Sequence, residues 1–186
     1  HIKGADVVSD VELGGVQWLA GTTVVADGSL WVVRGRNAVS DAPLCQVTDR
    51  AVRCFGKSDG IPISPAEALL ADGNGGFWIG GQTALVHWRA GVSQVYPIEA
   101  LRSNAGNSGI SSLARGPDGT LWVGILTAGP GLGLGQLRDG TFTAFVTPTF
   151  DGSKVAVYAM IVDRDGALWV ATSGRGIWRI HGTVVD

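Results

Sequence analysis

The chain has 186 residues, with 14 Lys and Arg against 16 Asp and Glu, giving a net charge of −2. That balance excludes a basic groove for a phosphate backbone, which needs clustered positive charge. At 45% hydrophobic and only 16% charged residues, a disordered tail is excluded as well. Glycine is the outlier at 29 residues, about twice ordinary usage, and seven Trp accompany a single Met. Many short strands and tight turns fit this composition better than helices. No apolar run approaches the ~20 residues that span a bilayer. The chain opens at His1 with no signal-peptide pattern, as expected of a mature chain, a fragment or a trimmed form.

In chain order, Ala5–Leu13 reads first, as a strand by its β-branched content. A fourfold repeat follows. Asp27–Val33 (DGSLWVV), Asn74–Gly80 (NGGFWIG), Asp118–Gly124 (DGTLWVG) and Asp165–Ala171 (DGALWVA) align on Trp31, Trp78, Trp122 and Trp169. Four and three residues before each Trp stand Asp27-Gly28, Asn74-Gly75, Asp118-Gly119 and Asp165-Gly166. Such a pair suits a two-residue type I′ hairpin turn, which needs positive φ at both centres. The preceding strands are expected over Val16–Val25, Ala68–Ala71, Ile110–Arg115 and Val155–Val162. Ser64-Pro65-Ala66-Glu67 competes as a helix start with a capping box. The repeat overrides it and leaves room for one helical turn at most. Outer hairpins follow in Leu44–Phe55, Leu85–Tyr96 and Leu134–Phe145, with a short fourth in Gly176–Asp186.

Each unit is thus four antiparallel strands in about 45 residues, the period of a propeller blade. The expected fold is all-β: one β-propeller block over 1–186, with blades near 14–55, 66–96, 109–146 and 154–186. Residues 5–13 are a candidate closing strand. The four Trp are expected in the core between blades, where large aromatics contribute most burial.

The pattern D-G-x-L-W-V-G, with a Gly-rich turn and a hydrophobic-x-R/W strand after it, resembles the two-component regulator propeller repeat. DGTLWVG and Asp165–Ile180 carry the likeness most clearly; Val33-Arg34 departs from it in the first copy. The resemblance implies a periplasmic sensor domain of bacterial hybrid histidine kinases and related receptors. Those sensors have about seven blades, so four would close on themselves, pair with a second chain or form part of a longer receptor. Arg115–Ile125 is also similar to streptogramin lyases, a family whose chemistry uses His and Glu with a divalent metal. Here His87 falls in a strand, and Glu12, Glu67 and Glu99 are not at matching repeat positions.

Ligand contacts are expected on the face holding the longer connections, because binding groups ride on loops over a rigid scaffold. The candidates are Arg34, Arg36, Asn37, Asp41, Lys57, Asp59, Gln82, Arg102, Asn104, Asn107, Lys154 and Arg175. The opposite face, with the Asp-Gly corners and the turns at Thr48–Arg50, Arg89–Gly91 and Arg138–Gly140, reads as structural. Gly129–Gly135 (GPGLGLG) lacks the following helix that a phosphate cradle needs. Asp163-Arg164-Asp165-Gly166 lacks the third acid and the distal Glu of a calcium loop. No His pair has zinc-ligand spacing, and no nucleophile elbow or catalytic acid pair is present. No cofactor or catalytic residue is expected, and a small molecule or a protein is the expected partner. Cys45 and Cys54 flank the first outer hairpin. A two- or four-residue loop puts them opposite each other, and a disulfide is favoured over two free thiols. A disulfide would imply an oxidising compartment, in keeping with the periplasmic location that the resemblance implies. The leading expectation is a non-catalytic sensor propeller binding a small molecule such as a saccharide, or a partner, on its loop face. A lyase-like enzyme and a protein-interaction scaffold are the alternatives.

Overall fold

Each Trp-centred repeat forms one four-stranded antiparallel sheet in a computed structural model that describes residues 2–3, 6–7, 19–35, 41–48, 51–103 and 108–186. A separate ribbon pairs β1 (Ile2–Lys3) with β2 (Asp6–Val7). Blade 1 is β3 (Leu19–Val24), β4 (Leu30–Arg34), β5 (Leu44–Val47) and β6 (Val52–Phe55). Blade 2 is β7 (Ala66–Ala71), β8 (Phe77–Gly81), β9 (Ala84–Arg89) and β10 (Val92–Pro97). Blade 3 is β11 (Ile110–Arg115), β12 (Leu121–Ile125), β13 (Leu134–Arg138) and β14 (Thr141–Ala144). Blade 4 is β15 (Val157–Val162), β16 (Leu168–Thr172), β17 (Gly176–His181) and β18 (Val184–Val185). Of the candidate closing strand, only Asp6–Val7 is described, and it pairs with Ile2–Lys3; residues 5 and 8–13 lie outside the described residues.

The innermost strands β3, β7, β11 and β15 pack one on the next in chain order. Three apolar clusters result. Trp31, Phe77 and Trp88 anchor the one between blades 1 and 2; Ile110, Leu121 and Ile125 the one between blades 2 and 3; Trp122, Val157 and Leu168 the one between blades 3 and 4. Both faces of an interior blade are therefore apolar, as in any sheet covered on two sides. At the last joint the fit is tight: a Cβ on Gly124 would lie 2.5 Å from Cγ1 of Val157. Each inner strand also carries a β-bulge at the same repeat position, at Leu19/Gly21, Ala66/Ala68, Ile110/Ser112 and Val157/Ala159. In blade 3 the bulge turns side chains toward blade 4. Ser111 Oγ donates to the carbonyl of Val157, and the Met160 N–H donates to Ser112 Oγ at 2.9 Å.

Several expectations are corrected. The Asp-Gly corners are three-residue loops, not two-residue type I′ turns. In blade 1 the Gly28 N–H donates to the Val25 carbonyl and the Val25 N–H to the Ser29 carbonyl. Only the glycines are left-handed, with φ of 82° at Gly28 and Gly75, 84° at Gly119 and 81° at Gly166. In blades 1, 3 and 4 this is a type I turn closed by a left-handed residue, whereas in blade 2 Gly73 is left-handed as well, with φ of 79°; in all four an acid serves as a hydrogen-bond acceptor. The type I′ signature falls on the outer hairpins instead, at Ala90-Gly91 and Asp139-Gly140, where both residues have positive φ. The helical turn allowed at Ser64–Glu67 is not formed: Ser64-Pro65 is a cis peptide and β7 begins at Ala66. The one α-helical turn among the described residues, α1 (Glu99–Ser103), lies in the link between blades 2 and 3 and buries Leu101 in their joint.

The corners come in two kinds. In blades 1 and 3 the repeat's own Asp accepts from the residue two further on: Asp27 from Ser29, Asp118 from Thr120. In blades 2 and 4 the acceptor stands two residues earlier. Asp72 takes the N–H groups of Asn74 and Gly76, and Asp163 those of Asp165 and Ala167. The residue paired across the sheet from each Trp follows the same alternation: Gln46 and Gln136 in blades 1 and 3, His87 and Arg179 in blades 2 and 4. All four of these acids are held below the usual carboxylate range. For Asp27 and Asp118 the side-chain hydrogen bond is the main cause. Asp163 is lowered chiefly by the indole N–H of Trp169. At Asp72, partial burial pushes upward but is outweighed by the Asn74, His87 and Gly76 donors.

The Trp positions do not share one environment. Trp31 and Trp122 are buried, and Trp78 is partly buried against His87 and Tyr96. Trp169 is 38% exposed, on the face of blade 4 turned away from blade 3, together with Ile161 and Ile177. The expectation of a core indole fails there because no following blade covers that face among the described residues.

Candidate functional site

The segment after β14 folds back on itself. The Thr147 N–H donates to the Phe150 carbonyl at 2.7 Å, and the Phe150 N–H donates to Thr147 Oγ1 at 3.1 Å. Asp151 then caps a 3₁₀ turn over Gly152–Lys154, accepting the Ser153 N–H at 3.0 Å and its hydroxyl at 2.7 Å. Lys154 Nζ returns to Asp151 Oδ2 at 3.3 Å. The Ser153 hydroxyl, foremost, keeps the Asp151 carboxyl below its ordinary range, so the acid is ionised at neutral pH.

Against this segment stands the tight connection from β16 to β17. Gly174 and Gly176, with φ of 70° and 74°, flank Arg175 and present its side chain to solvent. Together the two segments enclose a cleft of about 270 Å³ at the joint of blades 3 and 4. Lys154 and Arg175 are in its wall, with Thr147, Thr149, Phe150 and Trp178. Phe150 meets Trp178 edge-on with ring centroids 5.1 Å apart. Phe150 also reaches Phe145 at 6.1 Å, and Phe145 reaches Trp122 at 4.9 Å. An aromatic ladder therefore runs from the cleft into the core between the blades. Arg175 has no ion pair among the described residues, so the cleft carries one uncompensated guanidinium. Its inventory of hydroxyls, ring faces, one ammonium, one guanidinium and one carboxylate can hydrogen-bond and stack on a polar ring. No group of three His, Cys, Asp or Glu side chains placed to hold a metal ion occurs among the described residues.

Of the twelve candidate contacts, only Lys154 and Arg175 are brought together in this cleft. Arg34 is not a loop residue: it ends β4, is 4% exposed, and donates from Nη1 to the Ala42 carbonyl. Asp59 is structural. Its carboxylate accepts the Gly56 N–H at 3.0 Å and its carbonyl accepts Trp88 Nε1 at 2.8 Å. Gln82 donates to Glu67, and Arg102 pairs with Glu99 within one helical turn. Lys57 and Asp41 are exposed. Arg36, Asn37, Asn104 and Asn107 lie outside the described residues. A list of polar residues alone missed Phe150 and Trp178. The signal for both was aromatic residues next to Lys154 and Arg175 in two segments that the blade geometry makes neighbours. Cys45 and Cys54 are directly opposed on β5 and β6 and form a disulfide.

Residues 151–174, which include the capped turn of the cleft and the inner hairpin of blade 4, match the family model described as two component regulator propeller. No curated protein matches the chain. Among solved structures, a catalytically inactive variant of virginiamycin B lyase from Staphylococcus aureus, with quinupristin, is similar at a TM-score of 0.69 and 17% identity. The match covers 96% of this chain and 58% of that one. The extracellular domain of the hybrid two-component system BT3049 from B. thetaiotaomicron is similar at a TM-score of 0.64 and 15% identity, covering 88% and 20%. That of BT4673, from the same organism, gives 0.60 and 18%, covering 86% and 21%. The chain thus spans little more than half of the lyase and about a fifth of the receptor domains. At these identities the likenesses show the propeller fold. Blade 4 thus carries a match to the two component regulator propeller repeat, and the chain as a whole shares the propeller fold of these structures.

Proposed function

We propose that this chain is the non-catalytic, ligand-binding part of a bacterial two-component-type receptor, acting in the periplasm or outside the cell. The cleft between blades 3 and 4 carries the reading. The segment that matches the family model contributes Asp151, Lys154 and Val155 to it, and it combines two cations, two hydroxyls and two aromatic rings without a nucleophile–base pair. A small polar ring compound, a saccharide above all, suits that inventory: hydroxyls exchange hydrogen bonds with Thr147, Thr149 and Arg175 while C–H faces rest on Phe150 and Trp178. The Cys45–Cys54 disulfide favours an oxidising compartment. Signal output would follow if the ligand binds unequally to two arrangements of the blade 3–blade 4 joint, to which the aromatic ladder connects the cleft.

Calorimetry and thermal-shift titration against neutral and acidic oligosaccharides test this reading. At least one is expected to raise Tm, and Arg175→Ala or Lys154→Ala to reduce that shift. Silence across the panel, or a shift that both variants leave untouched, would refute the saccharide site. Metal-dependent opening of a cyclic lactone antibiotic would move the chain to the lyase reading.

A further inference from the structure

The corner face, structural on the sequence reading, holds a second cleft. It lies between the corners of blades 1 and 2 and measures about 500 Å³, within the size range of small-molecule sites. Trp31 and Phe77 form its floor, their ring centroids 4.5 Å apart. Val25 and Ala71 form walls, and Gly75 contributes bare backbone. Among the described residues its one ionisable lining group is Asp27, and no cation lines it.

The repeat shows why this space is open. At the joint of blades 3 and 4, Pro117 from one corner packs over Gly166 of the next, so that a Cβ on Gly166 would lie 3.0 Å from its ring. The residue of blade 1 equivalent to Pro117 is Ala26, and Gly75, equivalent to Gly166, has nothing within 4 Å of its would-be Cβ. The plug is missing at the joint where the aromatic floor lies beneath it. The Asp27 carboxylate is held below its ordinary range by the Ser29 hydroxyl and N–H, so it is ionised at neutral pH.

We propose that the cleft between the corners of blades 1 and 2 binds a small cationic aromatic amine, its ring on Trp31 and Phe77 between Ala71 and Gly75, its ammonium on the carboxylate of Asp27. A flat ring fits a slot walled by Ala and Gly, and an ammonium matches a lining whose single charge is negative. The site is on the opposite face from the Arg175 cleft and does not depend on it.

Calorimetry with tryptamine, indole and indole-3-acetate on the whole chain tests the proposal. Tryptamine is expected to bind best, indole about tenfold more weakly and indole-3-acetate more weakly still, since a charge-assisted hydrogen bond is worth roughly tenfold. Asp27→Asn should remove the preference for tryptamine over indole. Ala26→Pro, which copies the plug of blade 3 at a turn position that suits Pro, should abolish binding with Tm unchanged or raised. Ala71→Leu fills the slot from the other side and should give the same loss. Arg175→Ala should leave tryptamine binding intact. No tryptamine binding at millimolar concentration, equal binding of the three probes, or binding that survives both filling variants would overturn the proposal.

Discussion

Blades 3 and 4 carry almost the same sequence motif and meet opposite fates. Trp122 in DGTLWVG is 8% exposed, covered by blade 4, whereas Trp169 in DGALWVA is 38% exposed on a face that nothing covers among the described residues. Around Trp122 stand Gly124, which receives Val157, and Ser112, which accepts the Met160 N–H. The corresponding positions around Trp169 are Ala171 and Ala159, without a blade against them. A repeat motif therefore specifies a half-interface, and burial arrives only with the neighbour that completes it.

The contrast can be broken first at the indoles. Trp122→Ala should cost about 3–5 kcal/mol, as for a buried Trp truncation, and Trp169→Ala about 1 kcal/mol or less, measured by denaturant unfolding; equal losses would mean the two faces are equally covered in solution. Next come the small residues. Gly124→Ala forces a methyl into Val157 and should cost ~1–3 kcal/mol, while Ala171→Val on the bare face should change stability by less than ~0.5 kcal/mol. Ser112→Ala leaves the Met160 N–H unpartnered at the blade joint and should cost about 1 kcal/mol. Hydrogen exchange should quicken at Met160, and an unchanged Met160 rate would sever that link between the blades.

Acid provides the smallest test. The Asp163 carboxyl is lowered in the folded chain, so the stabilisation it supplies is fully present above its unfolded value near 4 and is lost as pH falls through the depressed folded value. Asp163→Asn should therefore lower Tm at pH 7, and the gap from the wild type should close below pH 4. A gap independent of pH would show that Asp163 acts by shape and not by charge.

The fourfold meander was legible because an indole and a corner glycine return at nearly constant spacing, and both have strong local causes. The acceptor switch from the repeat Asp to Asp72 and Asp163 was less visible. Its trace is the swap of Ser29 and Thr120 for Gly76 and Ala167, a change that acquires meaning once the corner hydrogen bonds are known. Arg34 was misplaced because β4 runs one residue into what reads as a loop. The exposure of Trp169 depends on a neighbour rather than on its own segment, and the Lys154–Arg175 cleft joins two segments that only the stacking of blades 3 and 4 makes adjacent.

The bulge that recurs in every inner strand has a broader consequence. Because it stands at the same offset in each copy, the kink that aims one blade at its successor is encoded within about 45 residues and not by a long-range agreement between copies. Tandem duplication of such a segment supplies a new wedge and its matching socket in a single event, so rings of different sizes lie a few unequal crossovers apart.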